Sequence, residues 1–303
     1  MEDRMKGKTC LITGATSGIG RATAIALGKM GANLVLVGRN ERVGGVLAEK
    51  LAKEQAIKAE FIRTDISDQE QVRKLAATVR QRFSHLDVLI NNAGAKFDGY
   101  QASADGIEMT FATNHLGHFL LTALLLDSLL AAPSARIVTV SSGSHGGARA
   151  DVVWCQRAQS YDRSQAYAKS KLANLLFSYE LARRLGNTGI SVNALDPGAV
   201  ATNFGRNNGL IRWLKHIAYH ALKGELVSAE RGASTVIFLA RDPSIKNVTG
   251  AYFRDCIRVD SSPISKDTAV ARQLWELSLE LTSLNEPVSR AWEWLKPAPG
   301  SSG

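Results

Sequence analysis

A chain of 303 residues with 45% hydrophobic content has room for one full α/β core, and nothing in it reads as a repeat or a second domain. Its formal charge of +9 is spread over scattered Lys and Arg without a basic run long enough to form an arm, so nucleic acid is set aside as a partner, and an anionic cofactor and a solvated surface account for the balance. Cys10, Cys155 and Cys256 lie too far apart for a metal framework, the apolar run from Leu116 to Ala132 is broken by His118, Asp127 and Ser128, and the first residues lack the apolar region of a signal peptide, so no transmembrane segment and a cytoplasmic setting are expected.

Thr9 to Ile12 is a short β-type run that feeds Thr13-Gly14-Ala15-Thr16-Ser17-Gly18-Ile19-Gly20, and the residues from Arg21 to Met30 are helical in pattern. Strand, glycine loop and helix is the order of a dinucleotide site, because glycines let the backbone approach a pyrophosphate whose charge then sits at a helix N-terminus. Gly14, Thr16, Ser17, Gly18, Ile19 and Gly20 are therefore candidate cofactor contacts, although the G-x-x-x-G-x-G spacing alone also fits a tight βα turn. The second strand, Asn33 to Val37, ends at Gly38-Arg39, where an Asp or Glu would select the cofactor that lacks a 2′-phosphate. A guanidinium there is a planar partner for phosphate, so NADP(H) is favoured over NAD unless Arg39 is only a surface charge.

Glu41 to Gln55 reads as helix and Ala59 to Ile62 as a third strand that reaches Asp65-Ile66. Asp65 either meets an adenine amino group or caps the segment near Ser67. Gln69 to Phe83 has a 3.6-residue apolar period, and a fourth strand, Asp87 to Ile90, ends in Asn91-Asn92-Ala93-Gly94. Those amides either line an adenosine crevice or tie neighbouring strands together, and their chemistry does not choose between the two.

A long helix is expected from Asp105 to Ala132, carrying Asn114; an Asn inside a helix costs propensity, so a buried one needs a reason, such as holding a water through its amide. Arg136 to Val140 is the fifth strand and delivers Ser141-Ser142. His115, His118 and His145 have no carboxylate or Cys at ligand spacing, so no metal is expected. The helix from Gln165 to Leu185 puts Tyr167 and Lys171 on one face, about one turn apart. A phenol beside a cation loses its proton nearer neutrality and can exchange one with an alcohol oxygen, although the pair alone also fits a plain helix surface. Ile190 to Leu195, the sixth strand, ends in Asp196-Pro197-Gly198-Ala199-Val200-Ala201-Thr202. Repeated strand–helix alternation argues for a Rossmann-type, doubly wound, mainly parallel sheet with helices on both faces, and its ligand crevice belongs at the strand C-terminal ends, where Gly18, Arg39, Asp65, Asn92, Ser142 and Pro197 all fall.

Together, Thr13 to Gly20, Asn91 to Gly94, Asn114, Ser142, Tyr167 to Lys171 and Pro197-Gly198 resemble the short-chain dehydrogenase/reductase family over residues 7 to 284. The resemblance implies that Tyr167 is the acid/base and that Lys171 lowers its pKa and holds the nicotinamide ribose. It also implies that Ser142, rather than Ser141, orients the substrate oxygen and that Asn114 holds a proton-relay water. Asp65, Ile66, Asn92, Ala93 and Gly94 would line the adenosine side of the cofactor, and Pro197, Gly198, Val200 and Thr202 its nicotinamide end. Glu230-Arg231-Gly232-Ala233, Gly250-Ala251-Tyr252-Phe253, Asp255-Cys256 and Leu274 to Ser278 are similar to the C-terminal half of retinol dehydrogenases and related retinal reductases. An NADP(H)-dependent oxidoreductase acting on a lipophilic alcohol and its aldehyde or ketone is the leading expectation; the alternative is a cofactor-binding regulatory or scaffold protein. Vertebrate members of that subgroup commonly begin with a membrane anchor, which is not expected here, and the family often forms dimers or tetramers.

The segment 203–228 carries an apolar helical stripe of Leu210, Leu214, Ile217, Ala218 and Ala221, which fits a lid over a hydrophobic pocket, a helix packed on the body or peripheral membrane contact. Ala229 to Ala240 is expected to be a core helix, Ala251 to Phe253 a seventh strand and Val270 to Leu281 an amphipathic helix. The 285–303 stretch, rich in Pro and ending Gly-Ser-Ser-Gly, reads as a loose tail.

Overall fold

The computed structural model describes residues 5–149, 154, 158–200, 226–284 and 292–296. Most of the 203–228 segment, with Thr202, and most of the 285–303 tail lie outside the described residues.

Five strands come first in chain order: β1 (Thr9–Thr13), β2 (Asn33–Gly38), β3 (Ala59–Arg63), β4 (Val88–Asn91) and β5 (Arg136–Val140). They are followed by β6 (Ser191–Asp196), the short β7 (Ala199–Val200) and β8 (Leu226–Val227), then β9 (Ala251–Arg254) and β10 (Ile257–Val259). Among the described residues the main sheet is eight-stranded, in the order β10-β9-β6-β5-β4-β1-β2-β3, with β7 and β8 paired separately. All its pairings are parallel except β9 with β10. The chain leaves β1 toward β2 on one side and returns to β4 on the other. That reversal opens a crevice outside the β1 and β4 C-terminal ends.

The helices are α1 (Gly18–Lys29), α2 (Glu41–Gln55), α3 (Gln69–Arg82), α4 (Met109–Phe111), α5 (Gly117–Leu130), α6 (Arg163–Leu185), α7 (Ala229–Arg241), α8 (Thr268–Leu281) and α9 (Trp292–Leu295). Strands with every residue buried, such as β1, supply both layers: Leu11 packs with Val72, Leu121 and Leu181, whereas Cys10 and Ile12 pack with Leu27, Leu51 and Val236. Hence α3, α5 and α6 cover one face and α1, α2 and α7 the other. Each fully buried Leu or Ile in these layers contributes about 1.5–3 kcal/mol, which is why the period of the pattern, rather than any single residue, sets the architecture.

Three differences from the sequence reading have physical causes. An eighth strand, β10, joins the expected seven through a tight reversal in which Asp255 and Cys256 both take positive φ, 50° and 63°. That is the geometry of a hairpin turn usually announced by Asn-Gly or Asp-Gly, and Cys in the second place hides it. The long helix expected from Asp105 is broken: α4 passes into a π-helical turn over Ala112–Leu116 before α5 begins. Gly117 closes that turn flush against the β3–α3 connection, where a Cβ would collide with the carbonyl oxygen of Ile66. Lastly, part of the expected tail is docked, because Leu295 is buried against the α6 and α8 layer and its carbonyl accepts a bond from Trp275 Nε1 at 2.9 Å. Trp154 is likewise core, packed with Phe111, Leu116 and Leu172.

Candidate active site

The glycine loop lies between β1 and α1, at the crevice. Gly14 has φ of 67°, and a Cβ on it would stand 2.9 Å from both Ala93 Cα and Asn92 Nδ2, while one on Gly20 would collide with the Gly14 carbonyl oxygen. The loop is thus folded back on itself as tightly as backbone allows. Ser17 occupies the α1 N-cap in extended conformation without a side-chain bond to the first turn. Ile19 packs toward Val200 and Gly232, where α7 approaches.

Thr13 locks this loop to the β4 end. Its hydroxyl oxygen accepts the amides of Asn92 and Ala93, each at 2.9 Å, and Asn92 Nδ2 donates back to the Thr13 carbonyl at 2.7 Å. Asn91 turns away, donating to Thr122 Oγ1 at 3.1 Å. Asn91 therefore ties β4 to α5, and the half-buried Asn92 ties the β4 end to β1.

At the β2 end, Thr16, Arg39, Asn40, Glu41 and Arg63 line a crevice of about 470 Å³. Arg39 is exposed, with one guanidinium nitrogen 3.9 Å from Asp65 Oδ2. Asp65 Oδ1 accepts both the amide and the hydroxyl of Ser67, at 3.1 and 2.8 Å, while the α3 cap is Asp68. Ile66 is buried beneath Gly117. Arg63, at the end of β3, was not singled out from the sequence, though its place one strand over from Arg39 in the β2–β3 register is a signal that strand pairing makes legible.

Asp162 caps α6, accepting the amides of Ser164 and Gln165, and so starts the helix one turn before Tyr167. Lys171, one turn on, is buried at 3% exposure and donates to the Val140 carbonyl at 3.0 Å, with Asn174 Nδ2 on the same oxygen at 3.2 Å. Its ammonium lies 5.7 Å from the Tyr167 ring centroid. Ser141 is also spoken for, its hydroxyl donating to the Lys171 carbonyl at 2.8 Å. Ser142 is the half-buried one of the pair, accepting the Ser144 amide at 3.2 Å and hydrogen-bonding the Tyr167 phenol. Burial raises the Tyr167 pKa, the Ser142 bond draws it back, and the charge of Asp196 raises it further. Burial also brings Lys171 down to about 8, with Asp196 opposing. The pKa of the phenol is therefore raised, where the Tyr–Lys spacing alone leads one to expect a lowered value; the difference comes from desolvation, which spacing does not report. Lys171 remains charged at pH 7.

Asn114 lies within the π-helical turn, fully buried. Its Oδ1 accepts the Ala95 amide at 2.8 Å, and its Nδ2 donates to the Ala95 carbonyl and to Ser170 Oγ, each at 2.9 Å. Ser170 Oγ in turn donates to the Tyr167 carbonyl at 2.8 Å. The side-chain amide thus pins the Gly94–Ala95 segment to the Tyr167 helix. A Cβ on Gly94 would come 3.5 Å from Asn114 Oδ1 and 3.6 Å from Lys171 Nζ, so this glycine forms the floor over the lysine.

Three groups beside Tyr167 were not apparent in the sequence. Asp196, 3% exposed at the end of β6, is held by Arg254 Nε at 2.8 Å and by Arg254 Nη2, and itself accepts the Gly198 amide at 3.0 Å. Arg254 is its register partner on β9, a pairing that only the sheet order reveals. The third is Lys96, whose ammonium sits 5.3 Å from the Tyr167 ring centroid. Gly198 has φ of 76°, allowing the chain to turn from Pro197 into Ala199-Val200. His145 donates from Nδ1 to the Ser142 carbonyl at 2.7 Å and accepts the Ser262 amide on Nε2 at 3.1 Å, so it braces the Ser142 turn. Among the described residues no group of His, Cys, Asp and Glu could hold a metal, and no helix is long and apolar enough to cross a membrane.

The short chain dehydrogenase family model matches residues 8–210. Human retinol dehydrogenase 14 is 40% identical over 294 residues, covering 92% of this chain and 88% of that protein. A crystal structure of an uncharacterised protein from Mycobacterium paratuberculosis superposes with a TM-score of 0.73 at 33% identity, covering 92% of this chain and 94% of that one. A second, from Beutenbergia cavernae, described as an NAD(P)-dependent gluconate 5-dehydrogenase with NADP bound at low occupancy, superposes with a TM-score of 0.67 at 27% identity, covering 84% and 97%.

Proposed function

The chain belongs to the short-chain dehydrogenase family and is an oxidoreductase acting on CH–OH groups; from that premise we propose that it is NADP(H)-dependent and interconverts a lipophilic alcohol with its aldehyde or ketone, Tyr167 serving as acid/base. The observation that carries the proposal is the convergence of Ser142, Tyr167, Lys171 and Asn114 beside a glycine loop whose Gly14 and Gly20 have no room for a Cβ. Similarity to retinol dehydrogenase 14 supports the lipophilic substrate.

The residues fit a dinucleotide. Thr16, Ser17, Gly18 and Ile19 would meet its pyrophosphate, Asp65, Ile66, Ala93 and Gly94 would border its adenosine side, and Lys171 its nicotinamide ribose, with Pro197, Gly198 and Val200 at the far end. When bound, the cofactor supplies or accepts the hydride. In the reductive direction Tyr167 gives its proton to the carbonyl oxygen, and Ser142 donates a hydrogen bond to the charge that gathers there. The raised phenol suits an acid, since it holds its proton until the oxygen becomes basic. Lys171, charged at neutral pH, stabilises the phenolate left behind, and Asn114 keeps Gly94 and Tyr167 at fixed separation.

NADPH oxidation followed across aldehydes and ketones of graded chain length, retinal included, is expected to show kcat/KM rising with apolar length; absence of turnover throughout the panel would sink the reading. The cofactor preference is tested separately. Arg39 and Arg63 border one crevice and together would grip a 2′-phosphate. Arg39→Asp should cut the NADPH-to-NADH ratio of kcat/KM by about 10–100-fold, and Arg63→Ala by about tenfold, in line with charged hydrogen bonds of about 1.5–3 kcal/mol. Unchanged ratios in both would place the selector elsewhere.

A further inference from the structure

A second cavity, of about 420 Å³, lies along the distal half of α6, away from the chemistry above. Its α6 wall begins at Tyr179, which follows Tyr167 by twelve positions on that helix. At 1.5 Å per residue the two sit about 18 Å apart along the axis. The facing wall comes from the start of β9, the end of β10 and Lys266. Gly250, with φ of 65°, leads into β9, and a Cβ on it would come 3.4 Å from Ala182 Cβ, so a side chain there would intrude between β9 and α6. The segment after β10 is fixed on two sides: Ser261 Oγ and the Tyr179 hydroxyl share a bond at 2.8 Å, and the Ser262 amide donates to His145 Nε2 at 3.1 Å. A pocket held by such bonds needs little reordering when a ligand enters.

Among the described residues the lining holds three cations, Arg183, Arg258 and Lys266, and one carboxylate, Asp260. Arg183 is held by Glu180, which also takes Arg184, and Lys266 pairs with Asp260 at 2.6 Å. The excess charge of the lining therefore falls to Arg258, and the charges of Lys266 and Arg258 are both felt at the Tyr179 phenol. The remaining surface is largely apolar, with Ala182, Ala251, Val259 and the rings of Tyr179 and Tyr252. Tyr252 is 4% exposed, and its hydroxyl has no hydrogen-bond partner among the described residues. Burying a hydroxyl in that state is unfavourable, and an acceptor brought into the cavity offsets it.

We propose that this cavity is a second ligand site, separate from the catalytic one, for a monocarboxylate with an apolar body, its carboxylate on the Arg258 guanidinium and its body against Tyr179, Tyr252 and Val259. A planar guanidinium matches a carboxylate in shape as well as charge. One negative charge is what the lining calls for, since Arg258 is the cation that no lining carboxylate takes up. The volume falls within the range of about 300–1,000 Å³ typical of small-molecule sites. The ligand makes and breaks no bond here, and the site does not depend on the role of Tyr167.

The test is calorimetric titration of octanoate, and of uncharged 1-octanol, onto the natural protein, Arg258→Glu and Arg258→Lys. Arg258 is exposed, so its replacement leaves the core packing in place. Octanoate is expected to bind the natural protein about tenfold or more tighter than octanol, to lose about tenfold or more in affinity in Arg258→Glu, and to regain most of it in Arg258→Lys. Steady-state reduction of an accepted carbonyl should be the same in all three proteins. No saturable octanoate binding, or equal octanoate affinity in all three, overturns the proposal, as does a loss in Arg258→Glu that falls equally on octanoate and octanol. Octanoate held only in the catalytic crevice would compete with the carbonyl and be indifferent to Arg258, and that result overturns it too.

Discussion

Replacing Tyr167 with Phe is expected to lower kcat by about a thousandfold, the scale of a lost general acid, while NADPH binding survives. The substitution removes one oxygen from a ring that α6 and its neighbours already hold, so the packing around it is kept. The phenol is where the chemistry converges. Ser142 bonds it, Lys171 faces its ring, Asp196 adds a negative field, and Asn114 ties its helix to Gly94 through Ser170 and Ala95. NADPH fluorescence titration and steady-state reduction of any accepted carbonyl separate the two effects. Full activity in Tyr167→Phe would remove Tyr167 from the mechanism; loss of NADPH binding would make it a binding residue instead.

The second large effect concerns acid stability. His115 and His118 are completely buried, and burial lowers them to about 3 and about 4. Each is fixed in a neutral tautomer by its partners. His118 donates from Nδ1 to the Asn114 carbonyl at 3.1 Å, so its Nε2 must accept the Thr13 hydroxyl at 2.9 Å. Thr13 Oγ1 already takes two amide protons, which leaves no acceptor for a second histidine proton. His115 donates from Nε2 to Ser278 Oγ at 2.9 Å, since that hydroxyl gives its own proton to the Leu274 carbonyl.

The folded pKa values lie below the unfolded value of about 6.5, so the unfolded chain binds more protons between about pH 6.5 and pH 4. Stability is then fully present above pH 6.5 and is lost as pH falls, by about 1.4 kcal/mol per pH unit for each histidine, or of order 3 kcal/mol each by pH 4. Urea unfolding from pH 7 to pH 4.5 measures the slope. In His118→Gln, which can offer a donor and an acceptor of similar reach, the slope is expected to flatten by about half. Histidine NMR titrations with all midpoints near 6.5 would refute the assignment. Because His118 joins Thr13 of the glycine loop to the Asn114 carbonyl, acid should disturb the cofactor and catalytic sides together.

Much of the site is legible in the sequence because its parts are local. The glycine loop must sit between a strand and a helix, a Tyr and a Lys four apart must share a helix face, and strand ends must border the crevice of a parallel sheet. Other parts depend on neighbours distant along the chain. Asp196 and Arg254 meet only because β6 pairs with β9, and Arg63 comes level with Gly38, the neighbour of Arg39, only through the β2–β3 register. The bonds of the Asn92 amide to the Thr13 carbonyl and of the Asn114 amide to Ala95 and Ser170 likewise join segments far apart along the chain.

By itself the sequence determined the doubly wound fold, the order of its elements and the identity of the groups at the strand ends, since periodicity and turn chemistry are properties of short segments. The tertiary structure alone decided the electrostatics at Tyr167, because desolvation depends on what covers a group and charge coupling falls off with distance in space. It also decided that the ring carries Lys96 as well as Lys171: the two lysines come from different crossovers of one sheet, and only the folded backbone brings both to the same phenol.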